Sequence, residues 1–161
     1  MTMQTDVKAK HVSATGVGVN YRTRLKGAVV SPQASATANM AFLDNLAQTG
    51  TYTRSTTTVT ATITAHGLTT GDRVWLTFTT GGALSGMYVV TVTNDNTFTV
   101  TTVASGTITT SNISLYANVL AEIDTYNATA FSVVIPGEGV LAYDGIYVGL
   151  PANVVTTFFY G

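Results

Sequence analysis

The chain has 161 residues, a formal net charge of −1 and no cysteine, which excludes disulfides, thiolate metal sites and cysteine nucleophiles, and leaves no global field to attract nucleic acid or an acidic membrane. Charged residues make up 9% of the chain and hydrophobic residues 45%, against roughly 25% charged in an average soluble domain. The surface must therefore be wetted by hydroxyls and amides, and partners are expected to be met by shape.

Residues 1 to 16 are polar, end on a glycine and show no period, so they read as an N-terminal arm. They lack the apolar run of a secretory signal, and no stretch is long enough for a membrane-spanning helix. Five of the seven basic residues, Lys8, Lys10, Arg22, Arg24 and Lys26, fall in the first 26 positions. Arg22 and Arg24 read as outward positions of an amphipathic strand, with docking of this region on an acidic protein surface as the sharper alternative.

Val17 to Val30 alternates apolar and polar residues as one half-buried strand, which Gly27 is expected to break or bulge. Ser31 to Asn39 reads as a loop punctuated by Pro32. Residues 40 to 48 fit either a short helix or a strand with a turn at Asp44-Asn45, and the β character of the surroundings favours the strand.

From Thr51 to Thr110 the chain is threonine-rich and almost free of charge. β-branched threonine suits a pleated surface, and its hydroxyl keeps an outward face wettable without charge. Thr56 to Ala65 places Val59, Ala61 and Ile63 on one face and Thr58, Thr60, Thr62 and Thr64 on the other, with period two. A tight connection from His66 to Asp72 leads to a strand over Val74 to Phe78, and Thr79 to Gly86 is a loop with a Gly81-Gly82 tip. Met87 to Thr93 and Thr97 to Thr102 form a hairpin across Asn94-Asp95-Asn96. A last strand near Ile108 to Ser114 is expected to close a small barrel.

Beyond the insertion, Leu115 to Ile123 scans as strand or helix, and Phe131 to Ile135 is a strand ending at Pro136-Gly137. Val140 to Leu150 carries an Asp144-Gly145 hairpin signal. Val154 to Tyr160 is expected to be tied into a sheet, because a frayed end would expose three aromatic rings.

Candidate chemistry is thin. His66 and Asp72 share one turn, but without a serine, cysteine or ligand cluster beside them Asp72 reads as bonding backbone N–H groups of the turn and His66 as capping the preceding strand. Glu122, Asp124, Glu138 and Asp144 show no acid and base pairing for glycoside hydrolysis, and Glu138 reads as a turn residue. The glycines of 16–18 and 81–82 lack the helix that a phosphate-cradling loop needs. No catalytic residue, cofactor or metal site is assigned, and the chain is not read as an enzyme. Phe158, Phe159 and Tyr160 are consecutive, so at least one ring must leave its own core, which marks a subunit interface. Core packing is the favoured reading for Trp75, and a sugar-stacking platform formed with Tyr88 and the Gly81-Gly82 loop is the alternative.

The segments HGLTTGDRV (66–74), LSGMYVV (84–90) and NTFTV (96–100) resemble a β module that recurs in virion proteins of tailed bacteriophages. The module is similar to the first catalytic cysteine half-domain of ubiquitin-activating enzymes. VIPGEGVL (134–141), GIYV (145–148) and TFFYG (157–161) look like small structural proteins of marine and cyanobacterial phages. The resemblance implies a non-enzymatic virion component and carries over no catalytic residue.

Together these readings predict an all-β chain: a β-sandwich base from residues 17–50 and 115–161, with an inserted small β-barrel over 51–114. The expected function is capsid decoration. The base would pack on the major capsid protein lattice as a homo-oligomer, a trimer being favoured, through Arg22, Arg24, Phe158, Phe159 and Tyr160. That places the chain on the capsid exterior of the virion, without nucleic-acid or membrane partners. The alternative is a tail or fibre adhesion module binding host glycan through Trp75 and Tyr88; a hydrolase of surface sugars ranks last.

Overall fold

The computed structural model describes residues 6–34 and 38–161. Its sixteen strands are β1 (Lys8–Val12), β2 (Gly16–Val19), β3 (Thr23–Pro32), β4 (Ala38–Asp44), β5 (Gln48–Ser55), β6 (Thr58–Thr62), β7 (Arg73–Phe78), β8 (Gly86–Val89), β9 (Thr91–Asn94), β10 (Thr97–Thr101), β11 (Ile108–Tyr116), β12 (Val119–Thr125), β13 (Phe131–Val134), β14 (Val140–Ala142), β15 (Ile146–Gly149) and β16 (Val154–Tyr160). The fold is all-β, a sandwich with an inserted barrel. The chain divides into a discontinuous unit of residues 1–46 and 120–161 and a continuous unit of residues 47–119.

The discontinuous unit is a sandwich of two sheets. One is five-stranded, in the order β1-β16-β3-β13 with β14 also on β3, and the other is four-stranded, in the order β12-β4-β15-β2. Leu25, Val30, Val154 and Phe158 from the first sheet and Val19, Met40, Phe42, Ile123, Ile146 and Val148 from the second fill one core. The two ends of the chain meet in both sheets. β16 lies between β3 and β1, with Thr157 opposite Val29 and His11, and β15 lies between β4 and β2. Neither end could bury its apolar face without the other.

Several local expectations are corrected. Val17 to Val30 is two strands in different sheets, broken at the bend of Tyr21 and Arg22, so Arg22 is a bend residue. Gly27 does not break β3, being paired to Phe159 and Val134, but the register with β16 shifts right beside it, from Phe159 opposite Gly27 to Tyr160 opposite Leu25, as a bulge would. A Cβ on Gly27 would lie 2.7 Å from the Val133 carbonyl oxygen, so close approach of the neighbouring strand explains the glycine. Ser31 and Pro32 end β3; the expected loop begins only after them and in part lies outside the described residues. Residues 8–12 of the expected arm form β1 along β16. Asp144-Gly145 is not a hairpin turn, because β14 and β15 join different sheets. Gly145 has a φ of +107°, and a Cβ on it would strike the Val19 carbonyl, so the tight crossing requires glycine.

The continuous unit is a single seven-stranded sheet, β8-β7-β11-β5-β6-β10-β9, curled into a nearly closed barrel. Tyr52, Val59, Ala61, Ile63, Leu76, Phe78, Phe98, Val100, Ile113 and Leu115 fill it. The Thr56 to Ala65 alternation is realised in β6, with Val59 and Ala61 fully buried and Thr58 and Thr62 exposed. Residues 40–48 contribute a strand, β4, which ends at Asp44. The expected closing strand is instead central: β11 pairs with β5 on one side and β7 on the other. Strand β5 was not separately expected. Its inward positions are Tyr52 and Arg54, and the arginine hides the apolar period.

Candidate functional site

The outer face of the five-stranded sheet carries two of the five interface candidates, Arg24 and Phe159. Residues opposite one another in adjacent strands point to the same face, so the register places Ala9, Phe159, Gly27 and Val134 in one row and His11, Thr157, Val29 and Ser132 in the next. Val155 and Leu141 extend the face, with Leu141 opposite Arg24. Phe159, Val29, Val155 and Leu141 are half-buried, and Val134 is 80% exposed. This is an apolar patch on a pleated face, with basic groups at one end.

Those basic groups are held in place. The Arg22 guanidinium lies 5.5 Å from the centre of the Tyr143 ring, a stacking geometry that leaves its N–H edge available. Arg24 donates from Nη1 to the Gly139 carbonyl at 3.2 Å. Lys26 donates to the Glu138 carbonyl at 2.7 Å and has the Glu138 carboxylate 3.9 Å away. Two shallow grooves join here, one lined by Asp6, Arg24, Lys26 and Glu138 and the other by Asp6, Lys8, Tyr21, Arg22 and Tyr160.

The three terminal aromatic residues separate. Phe158 is fully buried against Phe42, ring centres 5.6 Å apart, and is therefore a core residue rather than an interface residue. Phe159 is the ring that leaves the core, because alternation on β16 turns it outward. Tyr160, after a register shift, packs against the core edge and meets Tyr21. The Tyr21 hydrogen bond, assisted by desolvation, raises the Tyr160 hydroxyl above the usual phenol value.

On the barrel, the sugar platform is not formed. Trp75 is only 1% exposed, and its indole N–H donates to the Thr77 hydroxyl at 3.2 Å. Tyr88 is half-buried against Phe78 and donates to the Leu84 carbonyl at 2.5 Å; burial raises its hydroxyl above the usual value. A buried indole presents no face for stacking.

His66 is buried, and its Nδ1 accepts the Leu68 N–H at 3.0 Å. That bond assigns the single ring N–H proton to Nε2, which donates to the Asn94 carbonyl at 3.0 Å. The ring also meets Phe98 edge-on at 5.2 Å. Asp72 accepts the Thr69 backbone N–H at 2.8 Å and the Thr69 hydroxyl at 3.0 Å. Asp72 binds the turn that carries it, as expected, whereas His66 does not cap the strand before it but ties the following turn to Asn94.

The Thr69 backbone bond, and after it the hydroxyl bond, lower the Asp72 carboxyl below its ordinary value of 3.8. A folded-state value below the unfolded one stabilises the barrel fully above the unfolded value, and that contribution is lost as the pH falls through the folded one. Thermal midpoints measured from neutral pH down into that range are expected to fall in the wild type. In Asp72→Asn, the acid-dependent part of the fall should shrink.

Two buried polar groups gave no clear signal in the sequence. Asp44 is 2% exposed and accepts the Tyr143 and Asp144 N–H groups at 3.0 and 2.8 Å, which fixes the crossing between the two sandwich sheets. Arg54, 8% exposed, donates to the Gly106 and Ser105 carbonyls at 3.2 and 3.4 Å, while its buried Nη1 has no hydrogen-bond partner among the described residues. Among the described residues, no three His, Asp or Glu side chains gather as a metal cluster. Glu138 sits in an exposed turn beside Lys26, and Asp124 bonds Asn39.

No family model, curated protein or solved structure matches this chain. The functional reading therefore rests on the residues themselves.

Proposed function

We propose that this chain is a virion structural protein of a tailed bacteriophage that decorates the capsid exterior, with the sandwich docked on the major capsid protein. The observation that carries this reading is the outer face of the five-stranded sheet, where Phe159, Val29, Val155 and Val134 lie together with Arg24 and Lys26 at one end. An apolar patch with a charged rim is the anatomy of a protein interface. A cement protein acts by adding buried area at many equivalent sites, so modest single contacts accumulate through multivalency. Self-association as a trimer belongs to the same proposal, since a closed threefold ring repeats one head-to-tail contact between each pair of copies.

The test is co-sedimentation with phage heads purified without the chain. Wild type is expected to saturate at a fixed number of copies per capsomer, and Phe159→Ser or Arg24→Glu to lower the bound fraction at least tenfold. Binding to tails alone, or to neither, overturns the proposal. Burial of Trp75 removes the main anchor of the glycan-platform alternative at that location.

A further inference from the structure

The outer surface of the barrel is a lattice of hydroxyl and amide groups. Its register aligns Asn112, Thr51, Thr62, Thr97 and Asn94 across five strands. The next row is Thr53, Thr60, Thr99 and Thr91, and the one after is Ser55, Thr58 and Thr101. None of these positions is charged, and most are exposed. Pleated-sheet geometry spaces such groups by about 4.8 Å across strands and about 6.7 Å along them.

The lattice runs into a concavity. A groove of about 400 Å³ is lined by Thr49, Thr51, Thr79, Asn112, Ser114 and Ile113. The volume lies within the range of small-molecule sites, roughly 300–1,000 Å³. Its walls supply groups that both donate and accept hydrogen bonds, together with the methyl groups of threonine; the Ile113 side chain points into the barrel core. They supply no charge.

We propose that this groove and the adjoining rows bind a neutral polysaccharide, with one sugar unit seated in the groove and the chain continuing over the threonine rows. A sugar hydroxyl also both donates and accepts, and its C–H faces suit the threonine methyl groups. An anionic or cationic polymer would be desolvated here without any counter-charge. Exchange of water for sugar at an exposed hydroxyl is nearly balanced, so the gain comes from preorganisation. Threonine side chains are restricted at χ1 and stand on a paired ladder, so little entropy is lost when they bind. With no aromatic ring among the groove residues or the aligned rows, each contact is weak and the polymer is held by repetition. This site is separate from the Trp75 and Tyr88 positions and does not depend on where the sandwich docks.

The test is affinity electrophoresis of the whole chain through gels holding dextran, mannan or galactan, with dextran sulfate as the charged comparison. At least one neutral polymer is expected to retard the wild type, and dextran sulfate is not. Thr51→Val with Asn112→Val should cut the retardation at least twofold; Thr51→Val with Ser114→Ala serves if that pair lowers the thermal midpoint. Thr58→Val with Thr101→Val, in the row farthest from the groove, should retain more than half. Absence of retardation by all three neutral polymers, equal retardation by dextran sulfate, or no difference between groove and distant variants overturns the proposal.

Discussion

Asp44→Ala is expected to destabilise the protein by about 3 kcal/mol, the largest effect of any single polar substitution in the sandwich. Two N–H groups, those of Tyr143 and Asp144, lose their bonds to a carboxylate that is itself 2% exposed, at about 1.5–3 kcal/mol for each hydrogen bond to a charged group. The loss is concentrated where Gly145 crosses between sheets at a φ of +107° and other residues would strike Val19. Asp44→Asn keeps one acceptor oxygen and is expected to cost about half as much. Denaturant midpoints at neutral pH check both values. Equal midpoints for wild type and Asp44→Ala would mean that the crossing holds itself without the carboxylate.

Adjacent residues 158 and 159 should behave in opposite ways. Phe158→Ala empties a fully buried site between Phe42 and Tyr160, and loss of a core phenylalanine costs about 3–5 kcal/mol. Phe159→Ala removes a half-buried ring from the outer face and is expected to cost about 1 kcal/mol or less, while weakening attachment to phage heads. Unfolding curves and head binding measured on the same two variants separate folding from docking. If Phe159→Ala binds heads as well as wild type does, the outer face of this sheet is not the docking surface.

How far the sequence could be read depended on whether the signal was local. Period-two alternation identified β6, because Val59, Ala61 and Ile63 enter a core while their threonine neighbours meet water, and both facts are properties of side chains in order. The same rule required one of the three rings of β16 to face outward, and the cost of exposing all three placed that strand in a sheet. It misled where two segments with the same period lie in different sheets: Val17 to Val30 looks continuous, yet the bend at Tyr21 and Arg22 sends its halves apart. It also failed at β5, whose inward Arg54 is matched by carbonyls from residues 105 and 106, about fifty positions away. Asp44 was invisible for the same reason, since its partners lie about a hundred residues on.

The sequence by itself determined the β character, the neutral hydroxylated middle and the return of flank-like texture after it, because these follow from side-chain volume, branching and polarity along the chain. Only the tertiary structure decided which ring of the terminal three is buried, that Trp75 is enclosed, and that threonines from several strands align into one lattice. Those outcomes depend on register and strand order, which are set by long-range pairing between segments that carry no local record of one another.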